Sequence, residues 1–314
     1  MVKKRPEFTQ TPEGFSKIFR IPPSKEIEDK LIEKEIMSAE FVDNDGRKKR
    51  ISVTYFGLQH DAYALLLFLI LLAKINVKKN SEELKILKAT DNCNADIVKK
   101  LQYVIEPHDE NDENSGLTNL LKVETNYKEL ISWLGLNYES KNIKRIEKMI
   151  EKLQMSSIKI VVKDTEGRSV KKVYSNLFWW QSIVYKNRNQ NKISIVFNPI
   201  AYLALFSEVD FKSTVNLNIA MELSKKSVNK VVLFYAICDH LKLKDQRKFP
   251  LSALFSLWTQ PAKSRQTESF RRKFIIETLK EIEELSGGSF KFKIDKNDII
   301  TAIRTPDRKK QERS

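Results

Sequence analysis

Ser264 to Leu285, SRQTESFRRKFIIETLKEIEEL, reads as one amphipathic helix. Phe270, Phe274, Ile275, Leu279, Ile282 and Leu285 recur at helical spacing and define one broad apolar face. Arg265, Gln266, Ser269, Arg272 and Lys273 fall mainly on the other side, all in the first half, while Glu277, Glu281, Glu283 and Glu284 fill the second. A helix left to its own stability orders charge the other way, because its macrodipole favours acids at the N-terminus and bases at the C-terminus by ~0.3–1 kcal/mol each. Some demand from outside the helix has placed the cations. A polyanion met end-on is one source, since recognition helices present their N-terminal residues to DNA. A solvated charged face is the plainer alternative, and on this stretch alone the better one.

Composition moves that balance. The chain has 314 residues, 41% of them hydrophobic, enough for two cores of ordinary domain size. Its formal net charge is +15 and its pI about 9.5, which points to polyanions as partners, nucleic acid before an anionic membrane. The one long apolar run, Leu65 to Ala73, is far short of the ~20 residues of a bilayer span and reads as a buried helix. The opening MVKKRPEFTQ lacks the apolar core of a secretory signal. Cys93 and Cys238 have no CxxC partner and read as reduced, inert thiols of a cytoplasmic protein. Eight glycines leave little room for a glycine-rich nucleotide-binding scaffold.

Taken outward from the opening stretch, the elements fall into a repeated order. Residues 1–50 read as a partly flexible extension, with a short helix over Glu26–Met37 and a basic cluster, Arg47-Lys48-Lys49-Arg50, that is either a phosphate contact or a solvated loop. Ile51–Tyr55 is a strand, and Gly57–Lys74 a helix apolar nearly all round, hence central and buried. Leu84–Val104 suggests a helix and a strand, and Asp109–Gly116 an acidic loop. A short helix, Asn126–Leu134, is stopped by Gly135. Ser140 then caps a second, Lys141–Gln154, with Ile143, Ile146, Met149, Ile150 and Leu153 on one face. Lys141, Lys144, Arg145, Lys148 and Lys152 line the other, a ridge whose like charges repel. Two strands, Ser157–Lys163 and Val170–Trp180, make a hairpin with Lys163, Arg168, Lys171 and Lys172 near its tip.

Short helix, turn, basic helix and basic hairpin is the order of a winged helix-turn-helix. Strands Ile183–Lys186 and Lys192–Phe197, a helix Ile200–Phe206 and a short strand Thr214–Asn218 follow. The order then recurs: a long apolar helix Ser227–His240, a short one Pro250–Trp258, the opening helix, and a wing of Ser289–Ile294 and Ile299–Arg304. The fold class expected is therefore α+β and helix-rich, with small antiparallel sheets and two tandem winged-helix domains, 51–210 and 211–304, before a basic disordered tail, 305–314.

No catalytic constellation emerges. His60, His108 and His240 make no His-x-His pair, which tells against a metal-dependent nickase, and none opens a His-x-x-Arg, which tells against a tyrosine recombinase. There is no GxxxxGK, so no P-loop. The carboxylates are scattered, with no pair marked for two metals. His60 reads as structural, His240 as a complement to a helix dipole, and Trp179-Trp180 as packing more readily than base stacking. The expectation is a protein without enzymatic activity, cofactor or metal.

Several stretches carry a family resemblance in unbroken order: Gly57–Ala73, YKELISWLGL (127–136), IKRIEKMIEKLQMSSIKI (143–160), ISIVFNPIAYLALF (193–206), and SFRRKFIIETLKEIEEL (269–285) before the last wing. Over residues 57–304 the chain resembles the IncQ-type plasmid replication initiators (RepC). It departs from them in its lysine-rich N-terminal region and in Asp109–Gly116. The resemblance implies two winged-helix domains binding directly repeated origin sites (iterons) in double-stranded DNA. It also implies melting of a neighbouring A·T-rich segment for a plasmid helicase and primase, with no membrane partner. Monomer and homodimer both fit, and a transcriptional regulator on the same fold is the alternative. The DNA-binding set expected is Lys141, Lys144, Arg145, Lys148 and Lys152; wing residues Lys163, Arg168, Lys171 and Lys172; and Arg265, Gln266, Ser269, Arg272 and Lys273. Arg and Gln suit bidentate base contacts better than Lys, so the second domain is expected to carry more of the specificity. Loss of Arg272 should relax it if that residue reads a base, and a uniform loss across sequences would mean that it only touches phosphate.

Overall fold

A computed structural model describes residues 7–12, 15–21, 31–42, 47–58, 60–77, 122–184, 191–197, 212–258, 262 and 264–306. The expected elements at Leu84–Val104, Asp109–Gly116 and Ile200–Phe206, with Cys93, His108 and the tail from 307, lie outside them. The fold is α+β. Its centre is α1 (Ala62–Val77), whose described side chains are buried nearly all round, from Leu65 at 0% exposure to Ile75 at 0%. It starts later than the apolar pattern suggested, because the Asp61 carboxylate accepts the amides of Tyr63 and Ala64 at 3.0 and 2.9 Å and fixes the first turn there.

Two element series repeat around α1. In the first, α1 is followed by β4 (Lys122–Thr125), α2 (Tyr127–Trp133), α3 (Ser140–Gln154) and, further on, β7 (Phe178–Val184) and β8 (Lys192–Phe197). Their sheet has the order β4-β8-β7. In the second, α4 (Leu217–Lys226) and α5 (Asn229–His240) are followed by β10 (Asp245–Pro250), a 3-10 segment (Leu251–Leu257), α6 (Arg265–Leu285), β11 (Phe290–Ile294) and β12 (Ile299–Arg304). That sheet runs β10-β12-β11, the same permutation. Helix, strand, helical segment, helix and hairpin, with the first strand beside the last, is the order in both halves, and it matches the order expected of a winged helix.

The repeat corrects the assignment of the first wing. The hairpin of β5 (Ser157–Lys163) and β6 (Ser169–Asn176) does not join β4. It extends a second hairpin, β2 (Leu31–Val42) and β3 (Lys48–Leu58), into a four-stranded sheet of order β2-β3-β5-β6. The run Val170–Trp180 is accordingly two strands, parted at the buried Leu177, whose amide reaches Ser156 O at 2.7 Å. The hairpin that joins β4 is β7–β8.

Other expectations shift for similar reasons. Leu31–Met37 is strand, because pairing from Leu31↔Leu58 to Val42↔Lys48 overrides the helix preference of its Glu and Lys residues. The same pairing puts Lys48, Lys49 and Arg50 in β3. Glu139, not Ser140, is the N-cap of α3. Helix α4, absent from the sequence reading, begins where Asn216 closes the short strand β9 (Lys212–Asn216) and accepts the amides of Asn218 and Ile219. Pro250–Trp258 is a 3-10 segment rather than an α-helix.

The two halves do not have separate cores: one contiguous apolar cluster runs from Phe15 to Ala302. α1 packs on α2, α3 and β4 of the first half and on α4 and α5 of the second. The N-terminal residues also belong to it. β1 (Phe8–Pro12) pairs with β9, and Phe15, Ile18, Phe19 and Ile21 are buried. The Arg20 amide bonds His60 O at 3.0 Å and the Ile21 amide bonds Leu257 O at 2.8 Å, so this segment straps one half to the other. Asp239 of α5 anchors it, accepting from the Ser16 amide at 3.2 Å and hydroxyl, and from Ser213 Oγ at 2.7 Å. Among the described residues no helix is long and apolar enough to cross a membrane.

Where the sheets meet α1, Tyr55 Oη, His60 Nε2 and Ser156 Oγ form a buried triangle with sides of 2.8–2.9 Å. An added Cβ at Gly57 would lie 3.0 Å from both Ser156 Cα and Tyr55 Oη, so a larger residue here would have to push the triangle apart. Burial, with the charge of Lys152 adding to it, pushes the His60 imidazole down to about 3. The unfolded chain takes up a proton at His60 below about pH 6.5, and the folded chain does not until the pH nears 3. Stability therefore falls as pH drops through that window. Between pH 7 and pH 5 the loss is about 2 kcal/mol, set by the unfolded value alone. Urea unfolding of the wild type and of His60→Gln at both pH values should show their stability difference shrinking by that amount.

Candidate nucleic-acid interface

Helix α6 is held by most of the apolar face the sequence suggested, with Phe274 packed against the core and Phe270 and Leu285 left outside. Arg271, Ile275, Thr278, Leu279 and Ile282 are buried, while Phe270 is 65% exposed and Leu285 is 38% exposed. Arg271 takes the inward place because its stem can pack while its guanidinium carbon sits 5.1 Å from the Trp258 ring centroid. The inverted charge order has a structural half and an outward half. Glu281 receives Lys230 Nζ on both oxygens at 2.8 Å and Lys226 Nζ at 3.2 Å, which ties α6 to α4 and α5. Burial pushes its carboxyl up, but the hydrogen bonds from the two lysines outweigh this and leave it below its ordinary value. The cationic half faces water. Ser264 caps it through the Thr267 amide, and Arg265, Gln266, Ser269, Arg272 and Lys273 are all exposed.

The wing turn is fastened to that half. Arg272 forks onto Asp298, Nη2 to Oδ1 at 2.6 Å and Nε to Oδ2 at 3.1 Å. The pair raises the Arg272 guanidinium and lowers the Asp298 carboxyl from their ordinary values. Asp298 has φ 57°, a left-handed turn position, and its carbonyl accepts the Leu251 amide at 2.8 Å. Arg272 thus braces α6 to the β11–β12 turn. Arg272→Ala and Asp298→Ala should weaken DNA binding by the same factor, and the double variant by no more than either, as titrations arranged in a double-mutant cycle would read.

The ridge on α3 divides. Lys141, Lys144 and Lys148 are exposed. Arg145 and Lys152 sit on the shoulder, half-buried, and the Arg145 guanidinium carbon lies 3.3 Å from the Tyr63 ring centroid of α1. Helical spacing alone could not separate shoulder from crest. Lys163, Arg168, Lys171 and Lys172 belong to the β5–β6 hairpin and so are not on the first wing. Arg168 is paired there with Asp164 at 3.1 Å and with Glu166. Lys172 is exposed and Lys163 half-buried.

One group of cations went unrecognised. On the outer face of β10-β12-β11, Lys248 and Lys293 flank Thr301 from either side, and Gln246 and Lys291 flank Ile303. All four flanking residues are exposed, and Ile300 and Ala302 face the core from the alternate positions. The signal was the alternation Phe290-Lys291-Phe292-Lys293-Ile294, apolar in and lysine out. Among the described residues no cluster of His, Cys, Asp and Glu is placed to hold a metal. Cys238 is buried, its thiol pushed up to about 11.

No family model matches the chain, and no curated protein matches it. Crystal structures of domains 2 and 3 of RctB are similar to it at a TM-score of 0.43, with 11% and 10% identity. The likeness covers 93% and 94% of this chain and 96% and 98% of those chains. At that level of superposition it carries no argument about function.

Proposed function

We propose that the chain is a sequence-specific double-stranded-DNA-binding protein, without enzymatic activity, that initiates replication at repeated sites of a plasmid origin. The observation that supports the DNA-binding reading best is on α6. Arg265, Gln266, Ser269 and Lys273 stand exposed on the first half of the helix, with the wing turn hooked to it through Arg272 and Asp298. In this reading the first half of α6 enters the major groove, and Lys296 at the wing turn, with Lys248, Lys291 and Lys293 on the sheet, faces phosphate. Lys141, Lys144 and Lys148 give α3 a second basic crest, suited to general affinity more than to base reading. The initiator role rests on the collinear resemblance over residues 57–304, and local melting would draw on the deformation energy of two contacts on one duplex.

Selection from random duplexes, followed by gel shift, tests the binding: a defined motif is expected, and its absence overturns the reading. Permanganate footprinting on a supercoiled plasmid carrying the selected repeats tests the initiator role. Unpaired thymines beside the repeats are expected. A motif bound without any melting would leave a regulator of transcription.

A further inference from the structure

We infer that Phe270 reads thymine, its ring packed on the 5-methyl group of one base in the major groove. This rests on the reading of α6 above and names one of its specificity contacts. Phe270 is 65% exposed although the adjacent inward position is filled by a charged residue, Arg271, at 6%. At 3.6 residues per turn, Gln266, Phe270 and Lys273 fall within about 60° of one another on the outward stripe. The ring therefore lies between an amide suited to adenine and an ammonium suited to phosphate or guanine.

A single exposed apolar residue is ordinary on a protein surface. The two most exposed large apolar side chains among the described residues are Phe270 and Met155, at 65% and 68%. Phe270 is on α6, and Met155 caps α3 on the same stripe as Lys144 and Lys148. Phe56, Tyr138, Val184 and Leu243, at 43–49%, lie elsewhere, so Phe270 and Met155 stand out by the degree of their exposure. A cationic stripe with an aromatic ring set into it suits a surface that is both anionic and dotted with methyl groups. The major groove, where only thymine presents a methyl, is such a surface. A hydrophobic protein partner would have to bury Lys273 beside the ring without compensation.

The test replaces each thymine of the selected duplex with deoxyuridine, one at a time, which removes only the methyl group. For the wild type, one or two positions should weaken binding about fourfold, the worth of one buried methyl. Phe270→Ala should bind the thymine duplex about as weakly as the wild type binds the uracil one, and show no further loss on the replacement. Phe270→Leu should keep part of the sensitivity. Equal sensitivity in wild type and Phe270→Ala, or none in the wild type, overturns the inference while leaving the selected motif in place. A wild type that selects no motif fails the α6 reading itself. Sedimentation of the free proteins covers the remaining occupant: a dimer that Phe270→Ala dissociates would place the ring in a protein interface and overturn the inference.

Discussion

Neutralising Arg265 and Lys273 together should lower affinity for the selected duplex about sixtyfold near 0.1 M salt, and flatten the salt dependence by about two units of slope. Each phosphate neutralised releases about 0.9 of a condensed counterion, so at 0.1 M each contact is worth about eightfold, and two about sixtyfold. Lys273 is well solvated, its side chain 77% exposed and 3.8 Å from Glu277. That exposed i,i+4 pair costs little to break. Arg265 has no ion pair among the described residues and stands in the first turn, where the free amides of the helix add positive potential. The contrast lies in Arg168→Ala. Its guanidinium is already held by Asp164 and Glu166, so the loss should change neither affinity nor slope by more than a fraction of one contact. Titration of the three proteins at four salt concentrations reads all of this at once. Equal slopes for wild type and the Arg265→Ala/Lys273→Ala variant would remove α6 from the DNA.

What the sequence disclosed and what it hid divide along range. α3 and α6 were legible because their periodicity and flanking turn residues are local, and α1 because nine consecutive apolar residues have few other uses. β10 was not legible. DQRKFP is mostly exposed and becomes strand only because Asp245–Pro250 pairs with Ile299–Arg304, far along the chain. β2 was hidden for the same reason: LIEKEIMSAEFV is rich in good helix formers, and only its partner β3 makes it extended. The first wing was misplaced because hairpins β5–β6 and β7–β8 both carry strand signals, and which one meets β4 is a question of topology. At the site the error was finer. Phe270 and Arg271 differ by one residue, hence by about 100° on the helix, and hydropathy alone favours burying the phenylalanine. The acceptors Asp298, Asp164 and Glu166 that occupy Arg272 and Arg168 could be placed only by folding.

Leu69→Ala should cost 2–5 kcal/mol and do so in a single transition that both halves report. Leu69 is at 0% exposure in the middle of α1. Truncation removes the transfer term and leaves a cavity lined by a packed cluster, the case in which large-to-small changes cost most. The decisive part is cooperativity. Two winged-helix domains with private cores would unfold separately, and damage to α1 would shift only the first. Here α1 touches α2, α3 and β4 on one side and α4 and α5 on the other, and residues 15–21 are bonded to both His60 and Leu257. Damage to α1 should therefore lower the stability of α6 as much as that of α3. Native-state hydrogen exchange on the amides of α3 and α6 resolves the two helices, with urea unfolding as the global reference. Equal loss of protection is the expected result, and loss confined to α3 would mean that the shared core does not couple the halves. The coupling bears on function. A single rigid body holds its two basic crests at a fixed separation, so the spacing between the two contacted segments of DNA should tolerate little change. Inserting half a helical turn, about 5 base pairs, between them should then cost the whole contribution of one crest.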